Sequence, residues 1–405
     1  MSSLLRFEPD GPTPAIWLEL FKGDFTLCML RNKIFPMLNS SRPTFLEVNL
    51  SQLRRNLEAI RAYVAPAKVM PMIKANAYGH GVNGVAPFIE PFVDYFGVAL
   101  VEEAVHLREL GITKPILVAG GTFPGQVHLF AEYDLTLSGT SVELLNVAEE
   151  IARSLGKRIK VHLKIDTGME RVGVREYEAE TLIEKSAGYK HLVIEGIYTH
   201  LANSEVPDKK YSLLQLERFQ EVLDTYTRRG IPLPALRHVC NSGGILHLPE
   251  AHLDMVRPGI LFYGVYPGKE VARVVDVRPA LTWRSHVAYS KVTQPGRPVS
   301  YGSLWQSEVP VRIVTIPCGY ADGYFRRMSN RAQVIVNGKK YPQVGRICMD
   351  QFMVNLGDDD AQIGDEVILL GGGITAEDLA EWAGTNEYEV LTNISARVPR
   401  LFIRE

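Results

Sequence analysis

Between residues 67 and 265, short apolar and β-branched runs alternate with amphipathic helical stretches. The runs fall at 67–73, 95–100, 115–119, 133–138, 158–165, 193–199, 236–240 and 259–263. A strand buried on both faces reads as a near-continuous hydrophobic run, and parallel neighbours need a long crossover, usually a helix. Eight such units in succession predict an α/β fold, a (β/α)8 TIM barrel. The helix signals agree. Thr140 and Glu143 have capping-box spacing at the start of "TSVELLNVAEEIARSL", which Gly156 stops. Leu216, Phe219, Leu223 and Tyr226 share one face of a helix that Gly230 ends. Pro71 is the awkward residue, because proline in a central strand loses a ladder hydrogen bond; a bulge, or a strand starting after it, is expected there.

After residue 275 the period changes. Segments such as "LTWRSHVAYSKV", "VRIVTIPCGYADGY" and "DEVILLGG" alternate, with turn signals such as Asn337-Gly338 between them. This predicts a barrel over 42–275 and a mainly β domain over 276–405, with one short helix at "TAEDLAEWAG". Residues 1–41 carry acidic residues where a secretory signal is basic, and lack the Arg-rich, acid-poor character of a transit peptide. They read as a poorly ordered N-terminal extension with no assigned function. A net charge of −2 gives no electrostatic case for nucleic acid or an anionic membrane, and no apolar stretch is long enough to span a bilayer. Cys28, Cys240, Cys318 and Cys348 are far apart and form no C-x-x-C, which points to a reducing, cytoplasmic setting without a zinc site.

In a barrel, catalytic groups sit where strands end. Lys74, Lys164, Asp166, His200, Asn241 and Ser242 all follow or close candidate strands, and Arg257 lies beside the eighth. One lysine at a strand end is usually a solvated cap; this many polar groups at one face argue for a site. "NSGGI" (241–245) offers a hydroxyl and two glycines that let backbone approach a ligand. "RPGI" (257–260) could expose backbone N–H groups at Gly259 and Ile260, where barrels commonly bind phosphate. A phosphate held there and an amine at Lys74 suit a phosphorylated aldehyde, pyridoxal 5'-phosphate, bound as a Schiff base. Other features read as structure. His80 shapes its loop, "HLPEAH" (247–252) is a loop or helix end and not a metal frame, "LLGGGITAED" (369–378) is a turn, and Cys348 is a packed thiol.

The motifs "KANAYGHG", "KIDTGMERVG", "THLANS", "NSGGI", "VRPGILFYG", "VSYGS", "GYADGY", "GRICMDQ" and "TNEYEVLTNIS" resemble, in order, those of alanine racemases over residues 42–405. The resemblance implies an isomerase that interconverts L- and D-alanine and supplies D-alanine for peptidoglycan. It also implies a homodimer in which each active site is completed by the partner's β domain. Lys74 would anchor the cofactor and act as the base toward D-alanine, with Tyr301 the opposite base, supplied from the other subunit. The resemblance places Arg257 at the pyridine nitrogen, His200 beside the ring, and Tyr78, Ser242, Gly259, Ile260 and Tyr388 at the phosphate. Arg171 and the Met349 backbone would meet the substrate carboxylate, and Lys164 matches a lysine carbamylated in many members. Its bland alternative is an ordinary partner of Asp166. The chemistry fits these residue types. Racemisation needs acid/base groups on both faces, and lysine and tyrosine, with ordinary pKa values of about 10, need electrostatic help to act near neutrality. Arginine does not surrender its proton, so a ring nitrogen facing it stays largely unprotonated. The rival readings are a racemase of serine or broader specificity, a barrel-type decarboxylase, and a non-enzymatic carrier resembling the barrel alone.

Overall fold

The structure is a computed structural model and describes residues 42–405; the extension expected over 1–41 lies outside the described residues. The first strand, β1 (Phe45–Asn49), runs straight into α1 (Leu50–Val64). Asn49 sets that helix start, its side chain accepting from Gln52 N at 2.9 Å. The expected domain boundary places residues 42–49 with the barrel. Instead β1 pairs with two strands of the C-terminal half, a long-range pairing that local pattern cannot reveal.

The barrel begins with β2 (Lys68–Val69), followed by β3 (Phe96–Val98), β4 (Ile116–Val118), β5 (Thr136–Gly139) and β6 (Ile159–Asp166). A two-residue strand, β7 (Val174–Arg175), pairs with the end of β6. Then come β8 (Leu192–Tyr198), β9 (Leu236–His238) and β10 (Met255–Val256). Strands β3, β4, β5, β6, β8 and β9 form one parallel sheet in that order. The ring closes around it. Met72 bridges Gly97 at the β3 edge, β10 pairs with β2, and Arg257 N donates to Cys240 O at 3.0 Å beside β9. Helices α2 (Lys74–Tyr78), α3 (Val82–Ile89), α4 (Val101–Glu109), α5 (Val127–Glu132), α6 (Val142–Ser154), α7 (Ala179–Ala187), α8 (Lys210–Arg229) and α9 (Ser242–His247) occupy the crossovers.

Three local expectations shift. The eighth strand is 255–256, and Ile260–Tyr263 of the expected strand forms a 3-10 turn, fully buried. A short buried apolar run looks alike in either state, and Pro258-Gly259 breaks the strand before it. The cap of α6 is Ser141, which accepts from Leu144 N, one residue beyond Thr140. At Pro71 the chain has already left β2, and the Pro71 carbonyl accepts from Gly97 N at 3.1 Å, so no ladder donor is missed.

The C-terminal half is a mainly β domain. It comprises β11 (Leu281–His286), β12 (Tyr289–Thr293), β13 (Val311–Ile316), β14 (Gln333–Val336), β15 (Lys339–Val344), β16 (Phe352–Gly357), β17 (Glu366–Leu370) and β18 (Arg400–Ile403). With β1 they form a nine-stranded sheet, order β12-β13-β16-β15-β14-β17-β11-β1-β18. Asn337 and Gly338 both take positive φ and close the β14–β15 hairpin, as an Asn-Gly pair does in a type I′ turn. Two helices, α10 (Ala376–Ala383) and α11 (Glu387–Thr392), follow β17. The triple glycine 371–373 is a turn ahead of α10, all three residues at positive φ.

Candidate active site

Lys74 begins the turn α2, and that turn is left-handed. Ala75, Asn76, Ala77 and Tyr78 have φ of 51°, 54°, 53° and 50°. Left-handed helical backbone costs an L-residue about 1–2 kcal/mol, so the surroundings must hold this turn in place. They do so through its backbone. Glu103 accepts from Ala75 N at 2.6 Å, Asn76 Oδ1 accepts from Val82 N at 2.8 Å, and Arg400 Nε donates to Gly79 O at 3.1 Å. A β-carbon on Gly79 would collide with the Leu391 carbonyl of α11, so the β domain packs directly on the turn. The Lys74 amine is held below its ordinary pKa by burial and then by the Arg171 cation, only partly offset by Glu103. Strain of this kind, stored beside an amine of lowered pKa, is a signature of a functional position.

The turn ends at Tyr78, whose hydroxyl faces Gly259 and Ser242. An added β-carbon at Gly259 would lie 2.6 Å from Tyr78 Oη and 3.7 Å from Ser242 Oγ. Ser242 is the first residue of α9 and accepts from Gly259 N at 2.9 Å and Leu261 N at 3.2 Å. Tyr388 of α11 stands on the other side, its ring 6.1 Å from that of Tyr78. Tyr263 stacks on Tyr78 at 4.9 Å and donates to Met72 O at 3.0 Å, tying the cradle to the strand end before Lys74. His80 lies behind Tyr263 at 4.4 Å, with Nδ1 on the Tyr78 carbonyl. Burial lowers its pKa to about 4, so it is a neutral packing group.

Arg257 is the electrostatic centre. It is 3% exposed and donates to His238 Nδ1 at 2.8 Å, to the carbonyls of Thr199 and Val239, and to His200 Nδ1 at 3.3 Å. Burial lowers its pKa to about 10, which leaves it a cation at neutral pH. His200 is held well below its ordinary value by burial and then by Arg257, and so is neutral. Lys164, also 3% exposed, has its amine 4.9 Å from the Tyr198 ring centroid and donates to Ile165 O. Burial, and after it Arg257, pulls Lys164 down to about 7. Asp166 is not its ion-pair partner. The Asp166 carboxylate turns the other way and accepts from the N–H groups of Gly168, Met169, Glu170 and Arg171 at 2.9–3.1 Å. It therefore pins the loop that carries Arg171. Burial alone would raise its pKa, but these amides outweigh that and hold it low.

Tyr301 and Met349 are elsewhere. Tyr301 sits on a 3-10 turn of the β domain, 71% exposed, and Met349 is 52% exposed. Tyr301 lines an open cavity of about 760 Å³ with Ser300, Cys348 and Met353, to which no barrel residue contributes. The chain thus brings together Lys74, Tyr78, Ser242, Gly259, Ile260, Tyr388, Arg257, His200, Lys164 and Arg171, and leaves Tyr301 on a separate surface.

The sequence reading missed Glu103, His238 and Asn76. Only Asn76 had a usable signal, since asparagine tolerates left-handed backbone better than most residues. Glu103 acts from a helix, and His238 is the last residue of β9, hidden in sequence because the apolar run continues past it to Cys240.

The alanine racemase N-terminal domain family matches residues 48–267, and the C-terminal domain family matches 280–402. The chain belongs to the alanine racemase family. It is similar to the alanine racemase of Carboxydothermus hydrogenoformans, 44% identical over 89% of this chain and 100% of that one. Among solved structures it is similar to the alanine racemase of Clostridium difficile 630, at 38% identity and a TM-score of 0.86, covering 90% of this chain and 97% of that one. It is also similar to a histidine racemase of Leuconostoc mesenteroides, at 28% identity and a TM-score of 0.82, covering 90% of this chain and 98% of that one. Alanine racemases are pyridoxal-phosphate-dependent isomerases, and the residues here fit that cofactor. The absence of a side chain at Gly259 leaves room beside two hydroxyls, and a permanently charged guanidinium lies deeper in the barrel.

Proposed function

We propose that this chain interconverts L- and D-alanine with Lys74 and Tyr301 as opposed acid/base groups. The observation that carries this reading is the strained turn that sets the Lys74 amine, its pKa lowered by burial and then by Arg171, next to the Tyr78–Ser242–Gly259 cradle. Pyridoxal phosphate, when bound, supplies an aldehyde for imine formation and a conjugated ring that spreads the charge left by α-proton removal. Tyr78, Ser242, Tyr388 and the N–H groups of Gly259 and Ile260 would hold its phosphate, and His200 would lie beside its ring. Arg257 would face the ring nitrogen and donate to it without giving up a proton. Arg171 and the Met349 backbone receive the substrate carboxylate, and Asp166 fixes the Arg171 loop.

Lys74 holds or takes a proton at Nζ on one face; lowering of its pKa raises the neutral share that can act as base. Tyr301 serves the other face at Oη. Its exposure in the single chain supports a homodimer in which the partner's β domain covers the barrel mouth. Lys164 is a buried amine with no carboxylate bonded to it among the described residues, lying near Arg171 and Arg257. A carbamate there would supply the missing anion. The product D-alanine suits peptidoglycan synthesis, in the cytoplasm.

A panel of L-amino acids assayed for racemisation by the purified, cofactor-loaded protein tests this reading; alanine should be turned over fastest. The similarity to a histidine racemase favours a second reading, a broader or different substrate range, and the same panel decides between them.

A further inference from the structure

Arg257 is a fully buried cation whose hydrogen-bond partners are two imidazoles and two carbonyls; among the described residues no carboxylate bonds to it. A buried charge without a counter-charge is costly. The hydrogen bonds lead to one. Arg257 Nη1 can only donate, so His238 Nδ1 must accept. The His238 proton is then on Nε2, which lies 2.9 Å from His162 Nδ1 and donates to it. That leaves the His162 proton on Nε2, which is buried, has no hydrogen-bond partner, and points at Glu195 Oε2 across 3.6 Å. Glu195 in turn accepts from the Tyr95 hydroxyl at 2.8 Å, and Tyr95 contacts Thr136 Oγ1 at 2.6 Å. Every tautomer in the series is fixed by the one before it. The Tyr198 ring lies parallel to His238 at 4.7 Å and blocks reorientation of that imidazole.

Both imidazoles are neutral. Burial holds each below its ordinary value, and in His238 the Arg257 cation adds to the effect. Glu195 is ionised, lowered by the His162 imidazole against the opposing effect of burial. The chain of groups therefore carries a full positive charge at one end and a full negative charge at the other, with two aligned dipoles between them.

We propose that Glu195 is a positioning residue for the reaction, the remote counter-charge of Arg257, acting through His162 and His238 to set how the guanidinium is held at the cofactor ring. The functional half of this statement rests on the reading that Arg257 meets the ring nitrogen.

The test uses cofactor-loaded protein labelled with ¹⁵N at histidine, together with Glu195→Gln, Tyr95→Phe and Arg257→Gln. In the unaltered protein the ring-nitrogen shifts of His162 and His238 should report two neutral imidazoles, each protonated at Nε2; a cationic ring or the opposite tautomer at either overturns the relay. Glu195→Gln keeps shape and removes charge. It should move the cofactor's visible absorbance band and lower kcat about tenfold, the low end of the loss that follows removal of an outer partner of a metal ligand, with KM for L-alanine nearly unchanged. Tyr95→Phe removes one donor to Glu195 and keeps the charge, so its band shift and loss of kcat should be clearly smaller than those of Glu195→Gln. An unmoved band in Glu195→Gln, or an equal loss in Tyr95→Phe, overturns the proposal. Failure of the underlying reading looks different: Arg257→Gln would then leave the band where it was.

Discussion

Gly259 faces the Tyr78 hydroxyl so closely that a β-carbon there would sit 2.6 Å from Oη. The clearance belongs to the cradle, because Tyr78 and Ser242 are the groups that would be displaced, and both are buried. Gly259→Ala should therefore weaken pyridoxal phosphate binding at least about tenfold, or about 1.4 kcal/mol, and overpacking against Tyr78 should also lower the stability of the cofactor-free protein by about 1–3 kcal/mol. Cofactor titration followed by fluorescence checks this. Unchanged affinity would mean that the phosphate lies elsewhere.

Lys74→Ala should give a colourless protein from which no covalently held cofactor can be trapped by borohydride. The peptide map after reduction is the measurement. A cofactor adduct persisting on another lysine would remove Lys74 from its role.

Tyr301→Phe keeps the ring and loses only the hydroxyl. Racemisation should fall by about 10²-fold or more, within the range of a lost acid/base group, with cofactor content and absorbance intact. Retention of full activity would refute the second base.

Lys74→Ala and Tyr301→Phe subunits, each strongly impaired alone, should recover activity when mixed under conditions that exchange subunits, because one site in each heterodimer then has both groups. Heterodimers proven by mass spectrometry but lacking activity would count against a site shared across subunits.

Lys164 carries the pH prediction. Its pKa in the fold, lowered to about 7 chiefly by burial, lies far below the value in an unfolded chain. The unfolded state therefore binds more protons across the interval between them, and this group adds stability as pH rises from about 7. Carbon dioxide adds only to the neutral amine, so a carbamate should form above about 7 and be lost as pH falls through it. Protein incubated with ¹³C-bicarbonate at alkaline pH should show one carbamate carbon resonance that is absent in Lys164→Ala. Its absence from the unaltered protein would sink the modification.

The barrel was legible because parallel strands covered on both faces leave runs of apolar residues with helices between them. What escaped was non-local or ambiguous in principle. Ile260–Tyr263 is as apolar as a strand but curls into a 3-10 turn after Pro258-Gly259, and β1 takes its partners from β11 and β18, far along the chain. Lys164 and Asp166 share one side of an ideal strand by their spacing, which made an ion pair a fair expectation. The last residue of β6 is instead captured by the amides that follow it. Motif residues such as Ser242 and Arg257 could be found because the groups beside them in sequence are also beside them in space. Glu195 and His238 meet the site only through the barrel interior, where proximity has no trace in sequence order.

The packing of Leu391 and Arg400 on Gly79 has a bearing on modularity. The turn that presents Lys74 is not the property of the barrel that contains it. A barrel excised from this chain, or grafted onto a foreign β domain, would keep its lysine and the Glu103 and Asn76 contacts, and lose the Arg400 and Leu391 side of the clamp on the left-handed turn that follows the lysine. Chimeras within this family should then work only when the donor β domain keeps an arginine at the Arg400 position of β18 and the α11 backbone stays packed on Gly79.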